Sequence, residues 1–187
     1  MSAPTTGAAT GAAATPDLLA LPAHVAEEDQ VERLFATVLD RFGRLDILMN
    51  NVGMNLLTPS TVDADMAAWR KIIDTNLTGP YLCARQAARA MRPHKAGKIV
   101  TLSSVAGRRA APGMGIYGVA KAGLEMLTRV LAVELAPTIH AAGEACGGLC
   151  RSEASSIICG GRPTGITGGA PGEYARQLLT RLMNSEG

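Results

Sequence analysis

Two short, mostly apolar runs, residues 45–50 and 98–102, leave this chain few folds to choose from. Strands that are apolar along their whole length are buried on both faces, and such strands belong to parallel sheets covered by helices. Helical spacing fills the gaps between the runs. Val31, Leu34, Phe35 and Val38 share one face over residues 27–42, a stretch ended by Gly43. Residues 63–91 read as a long helix interrupted near Thr78, Gly79 and Pro80, where proline removes a backbone donor. A further helix runs from Gly115 or Ile116 to Ala136 and is stopped by Pro137. A short apolar strand over residues 18–25 precedes the first helix. Strand and helix in regular alternation imply an α/β fold with a parallel sheet and right-handed crossovers.

In such sheets ligands bind beyond the carboxyl ends of the strands. Asn50, Asn51 and Gly53 end one run here, Ser103 and Ser104 end the next, and Tyr117 and Lys121 open the following helix. Tyr117 and Lys121 are four residues apart, so on a helix they share a face. A free phenol loses its proton only near pH ~10, and a neighbouring cation favours the phenolate. The pair therefore suits proton transfer to or from a hydroxyl or carbonyl oxygen. Read one at a time, the same residues have plainer explanations. The serines could be loop residues, Asn50 and Asn51 turn formers, Asn76 a polar break beside Pro80, and Lys121 a solvated charge.

Four segments in order carry more than any residue alone: LDILMNNVG from Leu45, DTNLT from Asp74, KIVTLSSVAG from Lys98, and Tyr117-x3-Lys121. Together they resemble the short-chain dehydrogenase/reductase family, closely over residues 18–137. The resemblance implies a Rossmann-like, doubly wound parallel sheet and an NAD(P)-dependent oxidoreductase that interconverts an alcohol and a ketone. It implies Tyr117 as general acid/base, Lys121 beside it and on the nicotinamide ribose, and Ser104 on the substrate oxygen. Asn76 would position a water in a proton relay, and Asn51, Val52 and Gly53 would lie against the cofactor. The hydride would pass to or from NAD or NADP, since no side chain performs that step. Which of the two is not legible, because the segment that would choose between them is missing.

The family's pattern breaks at both ends. Thr6, Gly7, Gly11 and Ala13 echo its phosphate-binding loop, but residues 1–5 are too short and polar for the strand before it. Only about a dozen residues then separate Gly11 from the next matching segment, against ~30 in a complete βαβ unit. His24 stands where the family has an acidic or amide residue for the adenine. The family's third strand is held apart from its fourth by the second and first, a gap of ~10 Å at ~4.8 Å per strand. We therefore expect residues 18–25 to pair directly with 45–50, giving a truncated sheet of about three core strands with both edges open.

Beyond Pro137 the family continues with a core strand and a Pro-Gly loop. Residues 138–172 hold no strand-like run except Ser156, Ile157 and Ile158. The expected organisation is a flexible leader over 1–15, a partial Rossmann-like domain over 16–137, and an atypical tail over 138–187 with one short helix at 173–183. Cys146, Cys150 and Cys159 match no common zinc spacing, and Cys83 reads as a small core residue. A charge of +2 predicts neither a nucleic-acid nor an anionic-membrane partner. With no basic-then-apolar start, and Arg33 as the first arginine, the expected location is cytoplasmic. Expected partners are a small-molecule alcohol or ketone and a second copy docking through helices 63–91 and 115–136. A competing expectation is a catalytically silent remnant that acts at most by self-association.

Overall fold

The computed structural model describes residues 14, 15 and 18–146. The glycine-bearing stretch 6–13, Cys150, Cys159 and the helix expected over 173–183 lie outside the described residues. Elements follow in the order β1 (Ala14–Thr15), β2 (Leu18–Leu19), α1 (Glu28–Phe42), β3 (Ile47–Asn50) and α2 (Met66–Ile73). A π-helical turn (Asp74–Thr78) then leads into α3 (Gly79–Met91) and a 3-10 turn (Arg92–His94). The last elements are β4 (Gly97–Ser104), a 3-10 turn (Val105–Gly107), α4 (Gly115–Leu135) and β5 (Ile139–Cys146).

The sheet is β3-β4-β5, parallel throughout, with Ile47 opposite Lys98 and Gly97 opposite Ile139. Both crossovers are helical, and α1, α3 and α4 pack on one face. There Val31, Phe35, Leu82, Ala87 and Met91 meet Ile99, Ile139, Ala141 and Leu135. A second cluster joins Ile72 of α2 to Ile116 and Ala120 of α4, with Tyr117 packed against it. Among the described residues this is a three-stranded, parallel, helix-flanked sheet of Rossmann-like form. Helix α1 ends as its sequence predicts, with Gly43 left-handed at φ 76° and its N–H on the Leu39 carbonyl. Cys83 is buried in the core, and burial pushes its thiol up from the ordinary value.

Two expectations are corrected. Residues 18–25 do not pair with 45–50: Leu18 and Leu19 pair antiparallel with Ala14 and Thr15 instead. Pro22 removes a ladder donor from the segment, and the chain turns at Val25 and Ala26, where the Glu27 N–H reaches the His24 carbonyl at 3.0 Å. Val25 is spent on packing, since a Cβ on Gly79 would stand 2.7 Å from its Cγ2.

The third strand comes from beyond Pro137. β5 pairs along the full length of β4, although its sequence, IHAAGEAC, has little apolar bulk. Small residues serve because α4 lies close there; a Cβ on Gly143 would meet Thr128 Cγ2 at 3.3 Å. Packing space, rather than hydrophobic mass, makes this segment a strand.

Candidate active site

The expected interruption of the long helix is a widened turn. Gly79 N–H reaches back five residues to the Asp74 carbonyl, and Pro80, lacking an N–H, denies the Asn76 carbonyl its usual partner four residues on. Asn76 sits inside this turn and is fully buried. Its Nδ2 donates to the carbonyls of Met54 (2.7 Å) and Ile72 (2.9 Å), and its Oδ1 accepts from the Met54 N–H at 3.2 Å. The side chain thus pins the loop after β3 to the helix. Asn50, at the end of β3, is also structural, donating to the Pro80 carbonyl at 3.2 Å.

Lys121 lies on the second turn of α4 and is only 3% exposed, which rules out the solvated-charge reading. Its Nζ donates to the Leu102 carbonyl at 3.1 Å and stands 5.6 Å from the Tyr117 ring centroid. Gly53 reaches the same place from the other side. A Cβ there would lie 3.2 Å from Asn76 Oδ1 and 3.3 Å from Lys121 Nζ. Only a residue without a side chain fits that junction easily, and Asn51, Val52 and Gly53 all lie exposed on the loop.

Ser103 and Ser104 are the last residues of β4 and both are buried. Ser104 Oγ accepts from the Ala106 N–H at 3.2 Å, which leaves its own hydroxyl proton for another acceptor. The 3-10 turn that follows lies directly on α4: a Cβ on Gly118 would stand 2.8 Å from the Ala106 carbonyl oxygen. The structure therefore gathers Gly53, Asn76, Ser104, Tyr117 and Lys121 at the carboxyl edge of the sheet, with Asn51 and Val52 on the loop leading in. His24 is not among them; its N–H meets Gln30 Oε1 at 2.8 Å.

Sequence reading missed the Met54 backbone, which no residue type could advertise. It also missed Glu125, one turn past Lys121 on the same face and hydrogen-bonded to Ser103. Helical spacing from Lys121 would have found that carboxylate. Among the described residues no cluster of three or more His, Cys, Asp or Glu side chains could hold a metal, and no helix is long and apolar enough to cross a membrane.

Comparison with known proteins identifies the family and the fold. A family profile described as enoyl-(acyl carrier protein) reductase matches residues 3–158. The 3-oxoacyl-[acyl-carrier-protein] reductase of Synechocystis sp. is 39% identical over 120 residues, covering 64% of this chain and 48% of the relative. The cis-4-hydroxycyclohexanecarboxylate dehydrogenase of Sinomonas cyclohexanicum is 33% identical over 162 residues, covering 87% and 62%. The solved structure of ElxO with NADP bound superposes with a TM-score of 0.63 at 33% identity, over 65% of this chain and 50% of its own. The chain spans about half the length of most of these proteins. With matching motifs, a matching sheet and a profile running through both, the chain belongs to the short-chain dehydrogenase/reductase family.

Proposed function

We propose that this chain interconverts an alcohol and a ketone in an NAD(P)-dependent reaction, with Tyr117 as the general acid/base. One observation carries the reading: the ammonium of Lys121 is buried beside the Tyr117 ring, aimed by the Leu102 carbonyl, and faced by Gly53. The residues present fit the nicotinamide end of a dinucleotide. Lys121 would hold the ribose, and the open backbone of Asn51, Val52 and Gly53 would lie against the ring. When bound, the dinucleotide supplies or accepts the hydride.

The chain's own groups handle the proton. Ser104, its oxygen already engaged by Ala106, donates its hydroxyl to the substrate oxygen. Tyr117 gives a proton to that oxygen or takes one from it. Lys121 stabilises the negative charge that develops on the phenol oxygen. The Asn76 carbonyl, denied its helical donor by Pro80, accepts from a water that returns the proton behind Lys121. The two curated relatives are named for an oxoacyl reductase and a hydroxycyclohexanecarboxylate dehydrogenase. What those names share is the alcohol–ketone pair, so no narrower substrate is proposed. A cytoplasmic location belongs to the same proposal, because nicotinamide cofactors and small carbonyl compounds are dissolved there.

Titration of the purified full chain with NADPH and with NADH, followed by nicotinamide fluorescence, tests this. A saturating blue-shifted signal with either, and turnover of a ketone, is expected. A folded chain that binds neither would overturn the proposal and leave a silent member of the family.

Self-association is part of the same proposal. Val119, Met126, Val130 and Val133 form an exposed apolar stripe along α4, and Met66 on α2 and Tyr81 on α3 are also exposed. A second copy covering these faces would remove apolar surface from water at ~25 cal/mol per Å². Met126→Glu/Val130→Glu is expected to turn a dimer into a monomer in sedimentation velocity. An unchanged sedimentation coefficient would sink this mode of association.

A further inference from the structure

The turn that follows Ser104 is held against α4 by groups that the proposed chemistry does not use. Gly118, Lys121, Ala122 and Glu125 lie along one face of α4 at helical spacing. The turn runs along that face. A Cβ on Gly107 would meet the Lys121 carbonyl carbon at 2.9 Å and Ala122 N at 3.0 Å, and one on Gly118 would meet the Ala106 carbonyl oxygen at 2.8 Å. Glycine against backbone allows close approach but offers no interlocking side chain, so nothing in these contacts stops the turn from sliding along the helix.

Directional contacts supply what the glycines lack. The Glu125 side chain is 11% exposed and takes Arg108 Nε at 2.9 Å on both carboxylate oxygens. Its Oε1 also lies 3.2 Å from Ser103 Oγ, which stands 3.3 Å from the Lys121 carbonyl oxygen. Arg129, a turn further on, lies 4.0 Å from Oε2. Ser103 and Arg108 bracket Ser104 in sequence, so one carboxylate grips the segment on both sides of the serine. A largely buried carboxylate costs free energy unless paired. Here its partners are drawn from both sides of that segment.

We infer that Glu125 is a positioning residue: with Ser103 and Arg108 it forms a clamp that sets the Ser104 hydroxyl in register with the Tyr117 phenol. The inference rests on the proposed oxidoreductase reading for its catalytic consequence, but not for its structural one. Reaction geometry is sensitive to such register, a misplacement of ~1 Å costing ~100-fold in rate. The fold should survive loss of the carboxylate, because Ser103 keeps the Lys121 carbonyl as an acceptor and Arg108, 36% exposed, can be hydrated.

The test compares the full-length chain with its Glu125→Ala and Glu125→Gln variants, and with Glu32→Gln on the exposed face of α1 as a control. Ketone reduction should show kcat down about 100-fold in Glu125→Ala, with KM and nicotinamide affinity within about twofold. Glu125→Gln, which still accepts from Arg108 and Ser103, should recover most of the loss. Amide hydrogen exchange reads the clamp without turnover. The Ala106 N–H, bonded to Ser104 Oγ, should exchange about tenfold faster in Glu125→Ala, while the β4 amides of Val100 and Leu102 stay unchanged. A wild-type chain that reduces no ketone defeats the oxidoreductase reading, and the exchange result then decides the clamp alone. Unchanged exchange at Ala106, equal acceleration throughout β4, or an undiminished kcat in an active chain would each overturn it.

Discussion

Tyr117→Phe is expected to reduce ketone turnover by about 10²- to 10⁴-fold, the usual contribution of a positioned acid/base. At ~1.4 kcal/mol per tenfold, that is ~3 to ~5.5 kcal/mol of barrier. The substitution removes one oxygen and keeps the ring, which packs against the Ile72, Ile116 and Ala120 cluster. Stability and nicotinamide affinity should therefore stay close to wild type. Lys121→Ala should behave differently. It deletes a buried ammonium bonded to the Leu102 carbonyl and removes the proposed ribose contact, so cofactor affinity and turnover should fall together. Measuring kcat and the nicotinamide dissociation constant for both variants separates the two roles. Tyr117→Phe with wild-type turnover would end the case for Tyr117 as the acid/base.

Asn76→Leu is expected to have the largest effect on stability. Leucine approximates the volume of the amide but offers none of its three hydrogen bonds. The Met54 N–H and C=O lose their partner, and the Ile72 carbonyl loses one too. A donor or acceptor left unsatisfied away from water costs ~1–3 kcal/mol, so a loss of about 2–5 kcal/mol is expected. Urea unfolding of the two chains would read this as a lower midpoint at a similar slope. The loop bearing Gly53 is tied to the helix through Met54, so it should loosen as well. A midpoint within experimental error of wild type would mean that the widened turn holds its shape without the amide.

The fold was legible wherever local pattern and burial coincide. The apolar runs ending at Asn50 and at Ser104, the helix stopped by Gly43, and the helix opening on Tyr117 all stand where their residues place them, because each requirement is met within a few positions of chain. The same holds for the carboxyl-edge cluster. A parallel sheet delivers its strand ends to one side, so the order of Gly53, Ser104, Tyr117 and Lys121 along the chain becomes proximity in space.

What local pattern could not decide was competition for space. Residues 18–25 look like a strand, but Pro22 and the packing of Val25 on Gly79 take them out of the sheet. Residues 139–146 look like coil, but an edge of β4 and a closely approaching α4 make them a strand built from small residues. Lys121 reads equally well as a surface charge until the Leu102 carbonyl and Gly53 close around it. Glu125 is an ordinary helical acid until Ser103 and Arg108 arrive from another element. Residue type and spacing determined which chemistry is proposed for this chain. Long-range packing alone determined which strand completes the sheet and which charges are buried, because burial depends on neighbours far away in the chain.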